Sequence, residues 1–231
     1  KEFNFRSNTD TEVILNLFIK YNSKFLNMLE GMFAFVIYDI KKKEYFCARD
    51  IFGIKPFYYY LDKEKFCFSS EIKALSEMNV NLKHSDKAVY RYLSSEYYEH
   101  QHETFYKNIN KLKPGYFFIV DHRGNKIERK FFDFNSEFDK INLPKSKSEK
   151  YYLIRSLVKE SVKKSLISDV PISVAASGGL DSSILQNELL NLGEKIELIS
   201  FVFKEKKISE QRFVKEISKK TSFKANYFRI S

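Results

Sequence analysis

The chain has few of the residues that interrupt or cross-link a fold. It contains no tryptophan, two cysteines, four prolines and seven glycines in 231 residues. Two cysteines do not support a disulfide-stapled secreted scaffold, and Cys47 and Cys67 lie within apolar strand patterns, so we expect free buried thiols in a reducing cytosol. No apolar run is long enough to span a bilayer, and no signal-peptide pattern precedes the first helical pattern. These absences predict a cytoplasmic protein with no membrane partner.

Positive charge exceeds negative charge in this sequence. Forty lysines and arginines against thirty aspartates and glutamates give a formal net charge of +10. The lysines occur as short runs mixed with glutamate, whereas a nucleic-acid surface would concentrate them on one element. We therefore expect a solvated, lysine-rich surface and no nucleic-acid partner.

One stretch near the last quarter of the chain carries the strongest functional signal. Residues 172–176 are mostly small or β-branched apolar residues, as in a buried parallel strand, and a periodic apolar pattern over residues 184–192 predicts a helix. Gly178 and Gly179 lie between the two, where they allow positive φ and close approach of a ligand to the backbone. A strand that enters a helix through glycines directs the free N–H groups of the helix N-terminus at one point. Such a point favours an anion, and phosphate above all.

This loop differs from the Walker A loop, because no lysine follows its second glycine. It carries Asp181 instead, and a carboxylate repels a phosphate unless a divalent cation bridges the two, so Asp181 predicts Mg²⁺. The alternative is an ordinary strand-to-helix turn with a serine cap, but the full pattern is far more specific than a Gly-Gly turn. We predict that the loop binds a nucleotide pyrophosphate through seven residues: Ser177, Gly178, Gly179, Leu180, Asp181, Ser182 and Ser183.

The Ser-Gly-Gly-x-Asp-Ser pattern of residues 177–182 resembles the PP-loop ATP pyrophosphatases, which cleave ATP between the α and β phosphates and adenylate a substrate. Ser-Asp-Val-Pro at residues 168–171 narrows the resemblance to the glutamine-hydrolysing asparagine synthetase family. The resemblance implies ATP and Mg²⁺ as cofactors, with Asp181 orienting the metal. It also implies that Val202 and Phe203, which end the next strand, contact adenine, although an ordinary core role is the alternative for Phe203.

Motifs in the first third of the chain resemble the other domain of the same family. They resemble the later part of its class II glutamine amidotransferase domain, which has an N-terminal-nucleophile (Ntn) αββα fold. The resemblance implies that Asp10 holds the α-amino group of substrate glutamine, a charge-assisted contact. A helix cap is the alternative role for Asp10, and the two roles can coexist. The matching motifs, in order, are Asp10-Thr11-Glu12, residues 31–35, Ala48-Arg49-Asp50, residues 52–56 and residues 70–75.

The order of predicted elements indicates two domains and a mixed fold class, α/β and α+β. The resemblance implies that residues 1–134 are a partial glutaminase domain. The strands of this segment are so apolar that both faces of their sheet must be covered. Residues 135–148 are polar and form a linker. In residues 149–231 strands and helices alternate, which predicts the start of a doubly wound parallel sheet. The resemblance implies that this sheet is of the PP-loop, adenine nucleotide α-hydrolase-like type.

The resemblance implies an ATP-dependent amidoligase with small-molecule substrates: glutamine, ATP and aspartate or a similar acid. Glutamine gives ammonia, aspartate and MgATP give β-aspartyl-AMP and pyrophosphate, and ammonia displaces AMP to give asparagine. The family's N-terminal cysteine nucleophile is expected upstream of Lys1, and its acceptor-binding motifs are expected after Ser231. We therefore assign no catalytic residue within this chain, expect an inactive internal fragment, and expect that the full-length protein can form a homodimer.

Three alternatives remain open at this point. A related amidotransferase or cyclase would act on another carboxylic acid, such as a sugar acid or a β-lactam precursor. A non-catalytic paralogue would serve as an interaction protein. A tRNA-modifying PP-loop enzyme would suit the basic charge, but it would lack the motifs of residues 31–75.

Overall fold

The computed structural model describes residues 3–97, 102–205 and 209–230. The chain divides into two compact units, Lys1–Ile141 and Asn142–Ser231. Within the described ranges, no helix combines the length and the apolarity that a membrane span requires.

The first unit combines helices with two antiparallel sheets, ordered β1-β2-β6-β7 and β4-β3-β5. A 3-10 helix, Asn22–Met28, follows the first α-helix. The elements in chain order are α1 (Asp10–Tyr21), β1 (Ala34–Asp39), β2 (Glu44–Arg49), β3 (Tyr58–Leu61), β4 (Phe66–Ser69), α2 (Ile72–Glu77), α3 (Asp86–Ser95), β5 (Ile109–Lys111), β6 (Tyr116–Asp121), β7 (Lys126–Lys130) and α4 (Phe134–Phe138).

Side chains of β2 show why the larger sheet is buried on both faces. Phe46 packs in a cluster with Phe25 of the 3-10 helix, whereas the next residue, Cys47, packs in a second cluster with Phe57 and Tyr59. Successive strand residues point to opposite faces, so helices cover one face and the smaller sheet covers the other. This confirms the predicted burial on both faces. A third cluster, which includes Leu75 of α2, lies against the smaller sheet, so the layers run helix, sheet, sheet, helix.

Both cysteines are free and buried, as predicted. Burial raises the pKa of the Cys47 thiol well above its ordinary value of 9.0, so this thiol stays protonated at neutral pH. A protonated, enclosed thiol is a poor nucleophile. Cys47 therefore serves the core.

The second unit is a three-stranded parallel sheet, ordered β10-β9-β8, with helices between its strands. Its core joins side chains from all three helices to the central strand, including Val162, Leu189, Val214 and Leu198. Its elements in chain order are α5 (Lys147–Ser165), β8 (Ser173–Ala175), α6 (Leu180–Asn191), β9 (Glu197–Phe203), α7 (Gln211–Thr221) and β10 (Ala225–Ile230).

The helices of this unit cover one face of the parallel sheet. Along β9, Leu198 and Val202 are buried, while Phe201 is 58% exposed. Phe201 pairs in register with Phe228 of β10, which is 53% exposed, and the two rings lie 6.1 Å apart. A doubly wound sheet carries helices on both faces, so this part of the prediction is not met within the described residues.

Candidate functional site

The predicted phosphate loop joins β8 to α6 at the carboxyl end of the parallel sheet. Gly178 has φ +77°, a conformation that L residues rarely adopt, and a Cβ placed there would lie 2.5 Å from Cβ of Phe213. Gly179 has an ordinary extended conformation and precedes the first residue of α6. The loop therefore requires glycine at position 178 for both its conformation and its space, and the backbone enters the helix as the sequence predicted.

Serine hydroxyls of the loop bond mainly to the loop itself. Ser177 Oγ accepts a hydrogen bond from Gly179 N at 3.3 Å and lies 3.2 Å from Ser182 Oγ. The hydroxyls of Ser182 and Ser183 both donate to the carbonyl oxygen of Gly179, at 3.1 and 2.7 Å. These bonds hold the turn closed, while the first N–H groups of α6 have no acceptor within the helix. The structure thus brings the predicted residues together around the N-terminus of α6, a helix of twelve residues.

Asp181 lies in the first turn of α6 and its side chain is exposed. Within residues 3–97, 102–205 and 209–230, no group of three or more His, Cys, Asp or Glu side chains could hold a metal by itself. A single carboxylate is still a suitable donor for Mg²⁺, which usually takes one or two carboxylates and completes its shell with substrate phosphates and water. Asp181 therefore fits Mg²⁺ as one donor, provided that a ligand or water supplies the others.

Val202 and Phe203 end the central strand next to the loop. Their side chains lie on opposite faces of the sheet: Val202 is buried on the helix face and Phe203 is 41% exposed on the other. Their predicted contact with adenine stays a prediction. Val202 belongs to the strand face on which α6 and α7 pack, whereas Phe203 belongs to the uncovered face.

Two residues that the motif did not indicate shape the loop. Phe213, in the first turns of α7, occupies the space that a side chain at position 178 would need. Gln186, one turn after Ser182 in α6, is fully buried, and its Nε2 donates to the carbonyl oxygen of Ser182 at 2.9 Å. Its Oε1 has no hydrogen-bond partner within the described part of the chain. A polar residue in the middle of a helical apolar pattern was the only sequence signal for Gln186.

Asp10 is the first residue of α1, and Thr9 is the residue that caps it. Thr9 Oγ1 accepts a hydrogen bond from Glu12 N at 3.4 Å, and Glu12 in turn accepts from the backbone amides of Arg6 and Ser7. The alternative role of Asp10 as the helix cap is therefore wrong. Its carboxylate is exposed at the helix N-terminus and makes no hydrogen bond with a described residue.

The Ala-Arg-Asp motif forms a rigid loop rather than an open site. The Arg49 guanidinium donates to three backbone carbonyls, those of Gly53, Lys55 and Leu112, at 2.5, 2.7 and 2.8 Å. Asp50 is 1% exposed, and its carboxylate accepts three backbone amides within the following turn, at 3.0 to 3.1 Å. Both charged side chains of this motif thus bond to backbone groups: Asp50 to amides of the following turn, and Arg49 to carbonyls of that turn and of Leu112.

Comparison with known proteins agrees with the division of the chain into two units. The family model described as a glutamine amidotransferase domain matches residues 1–132. The chain belongs to the glutamine amidotransferase domain family. A second model, described as asparagine synthase, matches residues 153–231. The two matches confirm the resemblance that the motifs indicated.

Curated relatives carry related names. A putative glutamine-hydrolyzing asparagine synthetase 2 of Methanocaldococcus jannaschii is 34% identical over 200 residues, which cover 84% of this chain and 37% of that protein. Glutamine-hydrolyzing asparagine synthetase 1 of Bacillus subtilis is 29% identical over 94% of this chain and 33% of that protein. Amidase chry2 of Gibberella zeae is 28% identical over 84% of this chain and 29% of that protein. The chain thus spans about a third of the length of these relatives.

Proposed function

We propose that this chain is part of a glutamine-dependent asparagine synthetase. In this proposal residues 1–134 belong to the glutaminase domain, residues 135–148 are the linker, and residues 149–231 belong to the ATP-binding domain. The observation that carries the proposal is the succession, in one chain, of an amidotransferase match and an asparagine synthase match. The whole protein would convert aspartate, ATP and glutamine to asparagine, AMP, pyrophosphate and glutamate through β-aspartyl-AMP.

The phosphate loop would bind the pyrophosphate part of ATP. Its support is the positive φ of Gly178 and the N-terminus of α6, which together present backbone N–H groups to an anion. Mg²⁺, when bound, would neutralise phosphate charge next to Asp181. In the proposed step the carboxylate of the acid bonds to the α phosphorus of ATP and pyrophosphate leaves. Transfer of the adenylyl group in this way depends on positioned donors rather than on a protein nucleophile, which suits a loop of amides and hydroxyls. The residues that bind the pyrophosphate part of ATP in this proposal are Ser177, Gly178, Gly179, Leu180, Asp181, Ser182 and Ser183.

Asp10 would bind the α-ammonium group of glutamine. The support is its carboxylate, which is exposed and has no partner within the described part of the chain, because Thr9 has taken the capping role. An ammonium group needs a charge-assisted acceptor of this kind.

The fold of each unit would follow that of the family. The helix, sheet, sheet, helix layers of the first unit support the Ntn-type αββα fold. The parallel β10-β9-β8 sheet with helical crossovers supports a PP-loop domain. We further propose a cytoplasmic protein whose partners are small molecules rather than nucleic acid or membranes, and which can form a homodimer.

A second candidate function is amide formation on a different carboxylic acid. It is favoured by the match to an amidase from Gibberella zeae, which is nearly as similar to this chain as the Bacillus synthetase. Both functions use the same loop and the same Asp10, so they differ in the acceptor acid alone. An assay with glutamine, ATP and a panel of acids, following AMP and pyrophosphate, would separate them.

Replacement of Asp181 by asparagine tests the assignment of the loop in the protein that carries this chain. We expect Asp181→Asn to abolish ATP-dependent amide synthesis, because the metal loses its carboxylate, and to leave glutamate release from glutamine unchanged. Glu194→Gln, an exposed carboxylate beyond the other end of α6, is the matched control and should keep both activities. Loss of both activities in a folded Asp181→Asn protein would contradict the proposed division of labour.

A further inference from the structure

The phosphate loop contains no positive charge of its own. Residues 177–183 include three serines, two glycines and one carboxylate, but no lysine or arginine. A pyrophosphate group carries several negative charges, and sites that bind such groups generally place at least one cationic side chain against them. The Walker A loop supplies its lysine from within the loop, so a loop of the present kind needs a cation from a neighbouring element.

The neighbouring element at the loop is α7. It follows β9, which is parallel to β8, so the carboxyl ends of both strands lie at the same edge of the sheet. Contact between α7 and the loop is direct, since a Cβ at Gly178 would lie 2.5 Å from Cβ and 3.3 Å from Cγ of Phe213. The first turn of α7 is therefore packed on the loop.

Arg212 precedes Phe213 and is held on its ring. Its guanidinium carbon lies 4.5 Å from the centroid of the Phe213 ring, a cation–π contact. The side chain is exposed and forms no ion pair with a described carboxylate. This contact uses none of the guanidinium N–H groups as hydrogen-bond donors, and no described residue accepts a hydrogen bond from them, so they are available to an acceptor.

We propose that Arg212 binds phosphate oxygens of the nucleotide held by residues 177–183. Phe213 then has two roles: it fills the space beside Gly178, and it orients the guanidinium next to the loop. Arginine suits this position better than lysine, because its planar fork offers two parallel N–H groups to a phosphate. The inference rests on the proposed function of the loop and adds a specific cation to it.

Calorimetric titration of the 231-residue chain with magnesium pyrophosphate and with MgATP tests the proposal. We expect Arg212→Ala to weaken both dissociation constants about tenfold, the effect of one lost charge-assisted contact. Arg212→Lys should bind with intermediate affinity, because it keeps the charge but loses the fork. Lys215→Ala removes an exposed cation from the next turn of the same helix and should change either constant less than twofold.

Two loop variants separate this proposal from the proposed function of the loop. If the unaltered chain binds neither ligand, both proposals are overturned. If Asp181→Asn or Gly178→Ala weakens binding while Arg212→Ala matches the unaltered chain, the loop function stands and the role of Arg212 is overturned. Equal losses in Arg212→Ala and Lys215→Ala would show a general charge effect and would also overturn it.

Discussion

Glycines at two positions of the second unit show how backbone conformation and packing can be told apart. Gly178 and Gly193 have nearly the same φ, +77° and +76°. A side chain at position 178 would collide with Phe213, whereas nothing lies within 4 Å of a side chain at position 193. An L residue at either site would therefore have the same backbone strain, but only at position 178 would its side chain lack room.

Alanine at these two positions should separate the two costs. We expect Gly193→Ala to lower the free energy of unfolding by about 1 kcal/mol, the cost of a left-handed L residue. Gly178→Ala should cost about 1–3 kcal/mol more, because Phe213 and α7 must move. Urea unfolding measures both. Equal losses would contradict the packing of Phe213 against the loop.

Glu128 of β7 provides a pH-dependent contribution to the stability of the first unit. It forms ion pairs with Lys126 at 2.9 Å and Lys113 at 3.1 Å, and its side chain is 21% exposed. Desolvation by burial favours the neutral acid, but the two lysines outweigh it and hold the pKa of Glu128 below its ordinary value of 4.5. Because the folded pKa is lowered, the stabilisation is present above the unfolded pKa and disappears as pH falls through the folded value.

Replacement of Glu128 by glutamine should therefore lower the free energy of unfolding only above the folded pKa of Glu128. We expect Glu128→Gln to lower the free energy of unfolding by about 1 kcal/mol at pH 7, and to match the unaltered chain once the pH lies below the folded pKa. Glu64→Gln is the control, because Glu64 is exposed and forms no ion pair with a described residue. A difference that persists unchanged in acid would show that packing, and not charge, is lost.

Among the elements, α5 begins with a capping box. Ser146 Oγ accepts from Glu149 N at 3.2 Å, and the Glu149 carboxylate accepts from Ser146 N at 3.4 Å. Since a helix N-terminus leaves backbone donors unsatisfied, this reciprocal pair fixes the start of α5 at Lys147. The polar stretch before it contained this signal in its Ser-x-x-Glu spacing.

Removal of the cap should destabilise α5 locally. We expect Ser146→Ala to cost about 1 kcal/mol in the free energy of unfolding of the second unit. Ser161→Ala, at an exposed position in the interior of the same helix, should cost less than half as much. Urea unfolding and amide hydrogen exchange in the first turn of α5 measure the effect. No difference between the two variants would contradict the capping box.

Most of the elements could be predicted from the sequence, because their apolar patterns are long and regular. The apolar spacing of residues 9–29 breaks near Asn22 and predicts two helices, and the structure separates α1 from the 3-10 helix at that point. The pattern of residues 225–230 predicts a strand, and β10 covers the same range. Strand β5 was missed, since three residues are too few for a periodic signal and pairing with β3 defines it. The pattern of residues 126–134 predicts a single strand, but β7 ends at Lys130, because Asp133 caps α4.

At the scale of the whole molecule, the sequence identified the loop but not its surroundings. The glycine and serine pattern of residues 177–183 is local, so the strand, turn and helix that it predicted are those that form. Phe213 lies thirty residues further along the chain than the loop, and only the parallel pairing of β8 and β9 brings α7 to that edge. Contacts of this kind depend on tertiary structure and have no signature in a single sequence.

The identity of the residue that caps α1 also needed the structure. Thr9 and Asp10 are both suitable N-cap residues, and the sequence could not choose between them. In the structure Thr9 Oγ1 accepts the hydrogen bond from Glu12 N, so Thr9 is the cap and the carboxylate of Asp10 is available for a ligand.

Phe201 and Phe228 form an exposed apolar patch on the second unit. Hydration of both rings is unfavourable, so the 231-residue chain in solution should bind apolar dyes and self-associate as its concentration rises. We expect Phe201→Ser with Phe228→Ser to lower the fluorescence of a bound naphthalene-sulfonate dye and to delay precipitation, at little cost in stability. Phe223→Ser, on the buried side of the same unit, should instead unfold it. The solubility of this chain in vitro will thus depend on two aromatic rings that the described helices do not cover.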